Sequence, residues 1–296
     1  MSTSSSGGSG GSAPLDLATP AGTARALREF GLRPRKRWGQ HFLVSRRALQ
    51  AILAAADIQP HETVLEIGAG LGTLTVELAR RAAAVTAVEI DAGLLPPLRA
   101  AVAGYGNVAI VHGDVMRLDL GAALARASKV VANLPYGVAS PLIVRLLAHP
   151  AAVRAMVLTV QREVADRLNA QPGGKEYGSL SVAVQYRAGV AMAGRIPATA
   201  FYPPPDVESA IVRLDVLSRP RVAVADEAAF FRVVRSAFAQ RRKTLRNTLA
   251  AGLAITPGQA ERACSAAGLD PRRRGETLSL EEFAALTRAL HPTPER

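Results

Sequence analysis

The hydrophobic pattern between residue 46 and about residue 150 alternates between strand-like apolar runs and helical stripes, as βαβ units require. The clearest stretch is 63–75, where a β-branched apolar run leads into three glycines at alternate positions and then into an amphipathic helix. Glycine suits such a turn because the backbone bends sharply and a ligand approaches where a Cβ would collide. The pattern therefore predicts the opening of a doubly wound nucleotide-binding sheet. A dinucleotide-binding G-x-G-x-x-G turn would require glycine at Thr73, so the spacing disfavours a dehydrogenase.

Polar residues or glycine stand at the carboxyl ends of four consecutive predicted strands. Gly68 follows the first strand, Glu89 lies near the end of the second, and Asp114 and Asn133 follow the third and fourth. Ligands bind at this edge of open α/β sheets, and the spacing places Glu89 where such folds hold a ribose. A carboxylate there can accept hydrogen bonds from both ribose hydroxyls. The strands after the first are predicted at 85–91, 108–111, 129–132 and 155–160.

The pattern along the whole chain predicts three parts. A Ser/Gly-rich disordered tail covers 1–20, a Rossmann-like α/β domain covers 21–218, and a smaller all-helical domain covers 219–296. Two further β-like runs at 179–186 and 209–215 are joined through a proline-rich segment that cannot form a central strand. Helices are predicted at 23–30, 48–56, 94–102, 140–147 and 161–168, a mobile loop at 171–178, and only helical patterns from 227 onward.

The amino-acid composition predicts the kind of partner and the cellular location. The 296 residues include 36 Lys and Arg against 24 Asp and Glu, a net charge of +12, which favours a polyanionic partner such as nucleic acid. One cysteine predicts neither a disulfide framework nor a cysteine-based metal site, and we expect no metal. No apolar run reaches the roughly 18 residues of a membrane helix, and no secretory signal is recognisable, so a cytoplasmic location is expected.

Two basic segments are candidate nucleic-acid contacts. The loop at 33–43 interleaves cations with aromatic rings, which suits phosphate contacts and stacking, although aromatic residues that only close the core edge would give the same pattern. The second segment carries Arg241, Arg242, Lys243 and Arg246, which we predict to contact RNA phosphates. Anchoring of the small domain on the larger one is the alternative role for this second segment.

The tetrapeptide Asn-Leu-Pro-Tyr at 133–136 carries the clearest chemical signal. The amide oxygen of Asn133 and the carbonyl of Leu134 before the proline are two acceptors that can orient an exocyclic amine. The ring of Tyr136 can stack on the base that carries the amine. Methyl transfer from a sulfonium to such an amine depends on position more than on a general base. A turn capped by Asn and Pro beside a core Tyr is the structural alternative.

Together these motifs resemble the bacterial small-subunit ribosomal RNA adenine dimethyltransferases, from about residue 35 to 290. That family uses S-adenosyl-L-methionine to dimethylate two adjacent adenosines near the 3′ end of 16S rRNA in the 30S subunit or its precursor, and the resemblance implies a monomer. The motifs that carry the resemblance are KRWGQHFL at 36–43, EIGAGLG at 66–72, NLPY at 133–136, QREV at 161–164, FYPPP at 201–205, QRRKTLRN at 240–247 and GETL at 275–278.

The resemblance also implies roles for individual residues. It places the cofactor against His41, Leu43, Gly68, Glu89, Asp114 and Asn133, with Glu89 on the ribose and Asp114 on the adenine amine. It implies that Asn133, Leu134, Tyr136 and Phe201 form the catalytic pocket, in which Tyr136 and Phe201 sandwich the target adenine. The chain departs from the family at His41, where asparagine is usual, and at Ala69, where proline is common.

Three other functions fit part of the pattern. A 23S rRNA adenine methyltransferase of the macrolide-resistance type would share the fold and cofactor, and a DNA adenine methyltransferase would act on duplex DNA. A ribosome-assembly factor would bind its partner stoichiometrically without turnover. The leucine within 133–136 and the basic run at 240–247 favour the small-subunit enzyme.

Overall fold

The computed structural model describes residues 16–35, 38–149 and 153–291, and these contain nine strands and twelve α-helices. The strands are β1 Phe42–Leu43, β2 Thr63–Ile67, β3 Ala84–Glu89, β4 Val108–His112, β5 Lys129–Asn133, β6 Ala155–Gln161, β7 Ala188–Ile196, β8 Phe201–Tyr202 and β9 Ser209–Val216. The helices are α1 Pro20–Glu29, α2 Arg46–Ala56, α3 Thr73–Ala79, α4 Leu95–Val102, α5 Leu120–Ala125, α6 Ala139–Leu147, α7 Arg162–Asn169, α8 Ser179–Arg187, α9 Glu227–Phe238, α10 Leu245–Leu253, α11 Pro257–Ala266 and α12 Leu280–Leu290.

One seven-stranded sheet carries the larger part of the molecule, in the order β4-β3-β2-β5-β6-β9-β7. Strands β2 to β6 are mutually parallel, whereas β9 pairs antiparallel with β6 and with β7. The chain order reverses between β2 and β5, which are neighbours in the sheet. Such a reversal leaves a crevice at the carboxyl ends of the two strands, and it confirms the predicted Rossmann-like class.

Two apolar cores cover the two faces of this sheet. One face packs mainly against α5, α6, α7 and α8, and the other packs mainly against α2 and α3. The central parallel strands β2, β5 and β6 are buried on both faces, which explains their nearly continuous apolar sequence. A third core joins α9 to α12 into the helical part of the chain.

Helix α8 is the main error of the sequence-based assignment, which placed a β-like run at 179–186. Its apolar residues alternate as in a strand, but Leu180 and Val184 pack into the core beside the sheet, while Val182 and Tyr186 pack into the helical core. Each pair is spaced i, i+4, so the apparent period of two comes from two stripes on opposite sides of one helix. The helix therefore belongs to both cores, and the domain boundary at residue 218 stays a prediction.

Smaller differences concern the edges of the fold. Residues 16–20, assigned to the tail, are ordered: Thr19 caps α1, and Asp16 accepts from Arg46 at 2.5 Å. Residues 1–15 lie outside the described residues. Strand β7 was missed because it is an edge strand of small residues with little alternation in burial. Within the described residues, no helix has both the length and the apolar character needed to cross a membrane.

Candidate active site at the carboxyl ends of the strands

A crevice runs along the carboxyl ends of β2, β3, β4 and β5. It consists of two adjoining cavities that have Gly39, Gly68 and Pro135 among their shared walls. The first cavity contains Glu66, Glu89 and Asn133, and the second contains Asp114. The structure therefore brings together residues that lie far apart in the sequence.

The glycine turn after β2 forms the floor of the crevice. Gly68 and Gly70 have φ of +77° and +59°, in the left-handed region that favours glycine. A Cβ on Gly68 would lie 3.4 Å from the carbonyl oxygen of Asn133, and one on Gly70 would lie 3.4 Å from the ring of Phe42. These glycines thus keep the backbone close to β5 and leave the space above the turn open to a ligand.

Glu89 ends β3 with its carboxylate turned into the first cavity. One oxygen accepts from the backbone N–H of Gly70 and the other from that of Asp91, each at 2.8 Å. The side chain is largely buried, and this burial raises its pKa, although the two backbone hydrogen bonds act in the opposite direction. Each carboxylate oxygen has a second lone pair, so Glu89 is oriented and can still accept from two ligand hydroxyls.

Glu66 is a second carboxyl in this cavity that the sequence reasoning did not single out. It is 1% exposed, and its Oε2 has no hydrogen-bond partner within the described part of the chain. Burial, reinforced by the negative charge of Glu89, raises the pKa of Glu66 to about 8, although the hydroxyl of Thr75 opposes the shift. Its position two residues before the glycine turn was the available signal. A buried acceptor without a partner fits a ligand that supplies an N–H donor.

Asp114 lies at the wall of the second cavity, beyond β4. Its carboxylate accepts from the backbone N–H of Met116 at 2.9 Å and lies 3.6 Å from the guanidinium of Arg117. The surrounding wall is mostly apolar, with Ile67, Val88 and Leu142 among its members. An acceptor at the rim of an apolar slot suits a flat heterocycle that carries an exocyclic amine.

Asn133 and Leu134 line the first cavity, at the end of β5. The side-chain Nδ2 of Asn133 donates to the main-chain carbonyl of His41 at 3.2 Å. This bond fixes the amide and leaves its oxygen as an acceptor. The side chain of Leu134 is buried in the core, so its contribution to the site is its backbone. Leu43 of β1 is also buried and lines the first cavity.

Tyr136 presents a half-buried ring at the mouth of the first cavity. The ring stacks with the imidazole of His41, with centroids 5.5 Å apart and planes inclined by 22°. Its hydroxyl is hydrogen-bonded to the hydroxyl of Ser209 at 2.7 Å. Burial raises the pKa of Tyr136, and the bond to Ser209 partly offsets that shift. Ser209 is a contributor that nothing in its sequence context announced.

Phe201 does not lie in this crevice. Its ring is 3% exposed and packs in the core with Leu43, Ala200 and Ile211. The reason is the pairing of β8 with β1, which sets Phe201 opposite Leu43 on the buried side of a two-stranded ribbon. The predicted sandwich of an adenine between Tyr136 and Phe201 is therefore absent from this conformation.

The basic loop before β1 is fastened to the end of β3. Asp91 is buried and accepts from the guanidinium of Arg35 and from the amide of Gln40, both at 2.8 Å. Arg35 thus has an intramolecular partner, and Asp91 anchors the segment that covers the crevice. The sequence reasoning treated Asp91 only as a strand end. Residues 36 and 37, part of the basic motif, lie outside the described residues.

The basic run after α9 is a turn followed by the start of α10, and its members have different surroundings. Arg241 donates to the backbone carbonyl of Lys175, and Arg246 lies 3.4 Å from the carboxylate of Glu261. Arg242 and Lys243 are exposed. Part of the run therefore fastens the loop before α8 to the helical part, and part of it faces solvent.

The crevice fits S-adenosyl-L-methionine by its chemistry. The ligand brings an ammonium group, ribose hydroxyls and an adenine amine, which are all donors, and the crevice offers Glu66, Glu89 and Asp114 as acceptors. The glycine turn supplies the close backbone approach. Within the described residues, no group of three or more His, Cys, Asp or Glu side chains is arranged to hold a metal ion.

Fold and site together define a Rossmann-like methyltransferase. The sequence profile described as ribosomal RNA adenine dimethylase matches residues 31–291. The chain therefore belongs to the ribosomal RNA adenine dimethylase family, whose enzymes use S-adenosyl-L-methionine as the methyl donor.

Individual relatives agree with this assignment. The chain is 48% identical over 286 residues to the ribosomal RNA small subunit methyltransferase A of Geobacillus thermodenitrificans, covering 94% of this chain and 98% of the relative. It is 47% identical to the enzyme of the same name from Moorella thermoacetica, covering 93% and 98%.

Two solved structures share the fold over most of the chain. A dimethyladenosine transferase from Plasmodium falciparum is 26% identical, with a TM-score of 0.69, covering 82% of this chain and 94% of the other. The 23S rRNA methyltransferase ErmE is also 26% identical, with a TM-score of 0.63, covering 84% and 98%.

Proposed function

We propose that this enzyme methylates N6 of two adjacent adenosines near the 3′ end of 16S rRNA, giving N6,N6-dimethyladenosine during small-subunit biogenesis. The observation that carries the proposal is the fixed amide of Asn133, next to the Tyr136 ring, at the mouth of an acidic crevice. The choice of the small subunit over the large one rests on relatives that are known as ribosomal RNA small subunit methyltransferase A and share 47–48% of their residues with this chain, against 26% for the 23S enzyme.

The cofactor contacts are assigned from the donor and acceptor chemistry of the crevice. Glu89 accepts from the ribose hydroxyls and Asp114 from the adenine amine. Gly68 gives room to the methionine portion, and the unpaired carboxyl oxygen of Glu66 is available as a hydrogen-bond acceptor for its ammonium group. Leu43 and the backbone next to His41 close the cavity from β1.

The target base is bound on the side of Asn133 that faces away from the cofactor. A base must leave its stack to reach such a pocket, and stacking on Tyr136 offsets part of that cost. The oxygen of Asn133 and the carbonyl of Leu134 accept the two N6–H bonds, which turns the nitrogen lone pair into the crevice. When bound, the cofactor supplies an electrophilic methyl group on a sulfonium. The N6 nitrogen gains one methyl group and loses one proton to solvent in each transfer, so Asn133 has to orient and not to deprotonate.

The helical part of the chain and its exposed cations bind the RNA. Arg242 and Lys243, with Arg241 and Arg246 beside them, are assigned to phosphate contacts. In this proposal the chain acts as a cytoplasmic monomer, with the α/β domain over 21–218 and the RNA-binding helical domain over 219–296.

The test incubates the enzyme and a labelled methyl donor separately with small ribosomal subunits that lack the modification, with large subunits and with duplex DNA. Small subunits should take up more labelled methyl groups than there are enzyme molecules, which shows turnover. Mass spectrometry of the rRNA should find adjacent dimethyladenosines. Label confined to large subunits would indicate a 23S enzyme, and label confined to duplex DNA would indicate a DNA methyltransferase. Tight binding of small subunits without turnover would indicate an assembly factor.

A further inference from the structure

The imidazole of His41 covers one face of the Tyr136 ring. The centroids are 5.5 Å apart and the planes are inclined by 22°, which is an offset stack. A base between the two rings would need two contact gaps of about 3.5–4.0 Å each, or about 7 Å in total. No base fits between these rings as they stand. A target base that stacks on Tyr136 must therefore use its other face.

The imidazole is itself held in place by the segment after β8. Its Nδ1 lies 2.7 Å from the carbonyl oxygen of Pro203. A carbonyl oxygen can only accept, so Nδ1 carries the hydrogen and donates. The main-chain carbonyl of His41 accepts from Asn133 at the same time. One residue thus contacts both side chains that are assigned to the target base.

The far end of the Tyr136 ring is fixed by Ser209. The two hydroxyl oxygens are 2.7 Å apart, and Ser209 is fully buried at the start of β9. The Tyr136 ring is therefore held by its face and by its hydroxyl, by residues from two distant parts of the chain. Phe201 packs in the core and is not part of this arrangement around Tyr136.

We propose that His41 and Ser209 form a clamp that positions Tyr136 for the target adenine, and that the imidazole of His41 is a positioning residue of the base pocket. The inference rests on the proposed function, and it assigns the His41 side chain to the base, not to the cofactor. The resemblance to the dimethyltransferase family expects asparagine at this position. Asparagine could keep a donor for Pro203 but would lose the ring, so the clamp is a feature of this chain.

Two substitutions separate the two contacts of His41. His41→Asn keeps an N–H donor near Pro203 and removes the stacked ring, whereas His41→Phe keeps the ring and removes the donor. Each variant should raise the rRNA concentration for half-maximal single-turnover methylation by about three- to tenfold, as expected for loss of one ring contact or one hydrogen bond. The cofactor dissociation constant should stay within about twofold of the wild-type value. Ser209→Ala should act in the same direction.

The decisive readout is non-additivity with Tyr136. Because the clamp acts through that ring, His41→Asn should add no further loss to Tyr136→Ala in a double-mutant cycle. His149→Asn, an exposed histidine at the end of α6, is the matched control and should leave both constants unchanged. Melting temperatures verify that each variant is folded.

Either of two results overturns the clamp. The first is a tenfold weaker cofactor affinity with an unchanged rRNA requirement, which would move His41 to the cofactor site. The second is full additivity of His41→Asn with Tyr136→Ala. Both are judged against a wild-type enzyme that methylates rRNA, and failure of the wild type itself would instead refute the proposed function.

Discussion

The side-chain amide of Asn133 is hydrogen-bonded to the main-chain carbonyl of His41, with 3.2 Å between Nδ2 and O. This bond ties the end of β5 to the residue that precedes β1, more than ninety positions earlier in the chain. It decides which edge of the amide faces a ligand: the nitrogen is engaged, and the oxygen is left as the acceptor.

Asn133→Ala should slow single-turnover methylation by about 100-fold at saturating cofactor and RNA, because it removes the group that orients the attacking amine. Asn133→Asp keeps an oxygen acceptor but places a second oxygen against the His41 carbonyl, so it should also be slow. Asn107→Ala is the matched control, since that amide likewise bonds backbone carbonyls, of Ala79 and Ala82. A wild-type single-turnover rate in Asn133→Ala would remove the residue from the chemical step.

Glu89→Ala should weaken cofactor binding by about tenfold or more, since a hydrogen bond to a charged group contributes roughly 1.5–3 kcal/mol. The same change leaves the N–H groups of Gly70 and Asp91 without their acceptor, so the melting temperature should also fall. Glu89→Gln keeps one acceptor oxygen, so its cofactor affinity should lie between those of the wild type and of Glu89→Ala. Calorimetry on folded variants measures the effect. Glu77→Gln on α3, whose carboxylate pairs with Arg80 and Arg81 and does not line the crevice, serves as a control. Equal cofactor affinity in all of them would contradict the ribose assignment.

Glu66 should make the stability of the free enzyme decrease as pH rises. Its pKa is raised to about 8 from an ordinary value of 4.5, so between these values the native state retains a proton that the unfolded state has lost. A state that binds more protons is favoured at low pH, and the contribution of Glu66 is therefore lost as pH rises through 8.

Glu66→Gln stays neutral and should not show this contribution. Urea unfolding at pH 5, 6.5 and 8 should show the variant gaining stability relative to wild type at each step. A difference in the free energy of unfolding that stays constant with pH would mean that Glu66 is ionised in the folded protein throughout.

The double substitution Arg242→Ala with Lys243→Ala should weaken rRNA binding and lower its salt dependence. Each phosphate contact that is lost should reduce the slope of log K against log salt by about 1. Cofactor affinity should not change. Arg99→Ala with Arg195→Ala removes two exposed cations from α4 and β7 and should leave the slope as it was. If both pairs lower the slope equally, the binding would follow net charge and not a local contact.

Arg241 and Arg246 are expected to behave differently from their neighbours in the same run. Arg241 bonds the carbonyl of Lys175 and Arg246 pairs with Glu261, so their removal should also lower the melting temperature. Arg241 and Arg246 thus combine the proposed anchoring role with the proposed RNA role, whereas Arg242 and Lys243 have the RNA role alone.

Local pattern was sufficient where an element and its neighbours are close in sequence. The apolar run of β2, the glycines after it and the polar residues that end β3, β4 and β5 are readable because a parallel sheet places all carboxyl ends at one edge. Glu89, Asp114 and Asn133 follow from that rule alone. Family motifs carried the methyltransferase assignment, which the relatives confirm.

What the sequence by itself could not decide is how apolar residues are shared between cores and which side chains meet across the crevice. Helix α8 resembles a strand in sequence because it packs into two cores on opposite sides. Phe201 was predicted to stack on the target adenine, but the pairing of β8 with β1 places its ring in the core. Contacts such as His41 to Tyr136 and Tyr136 to Ser209 join residues that no local period relates. They depend on the packed arrangement of the whole sheet, because a side chain finds its partner only after the strands that carry both have been placed side by side.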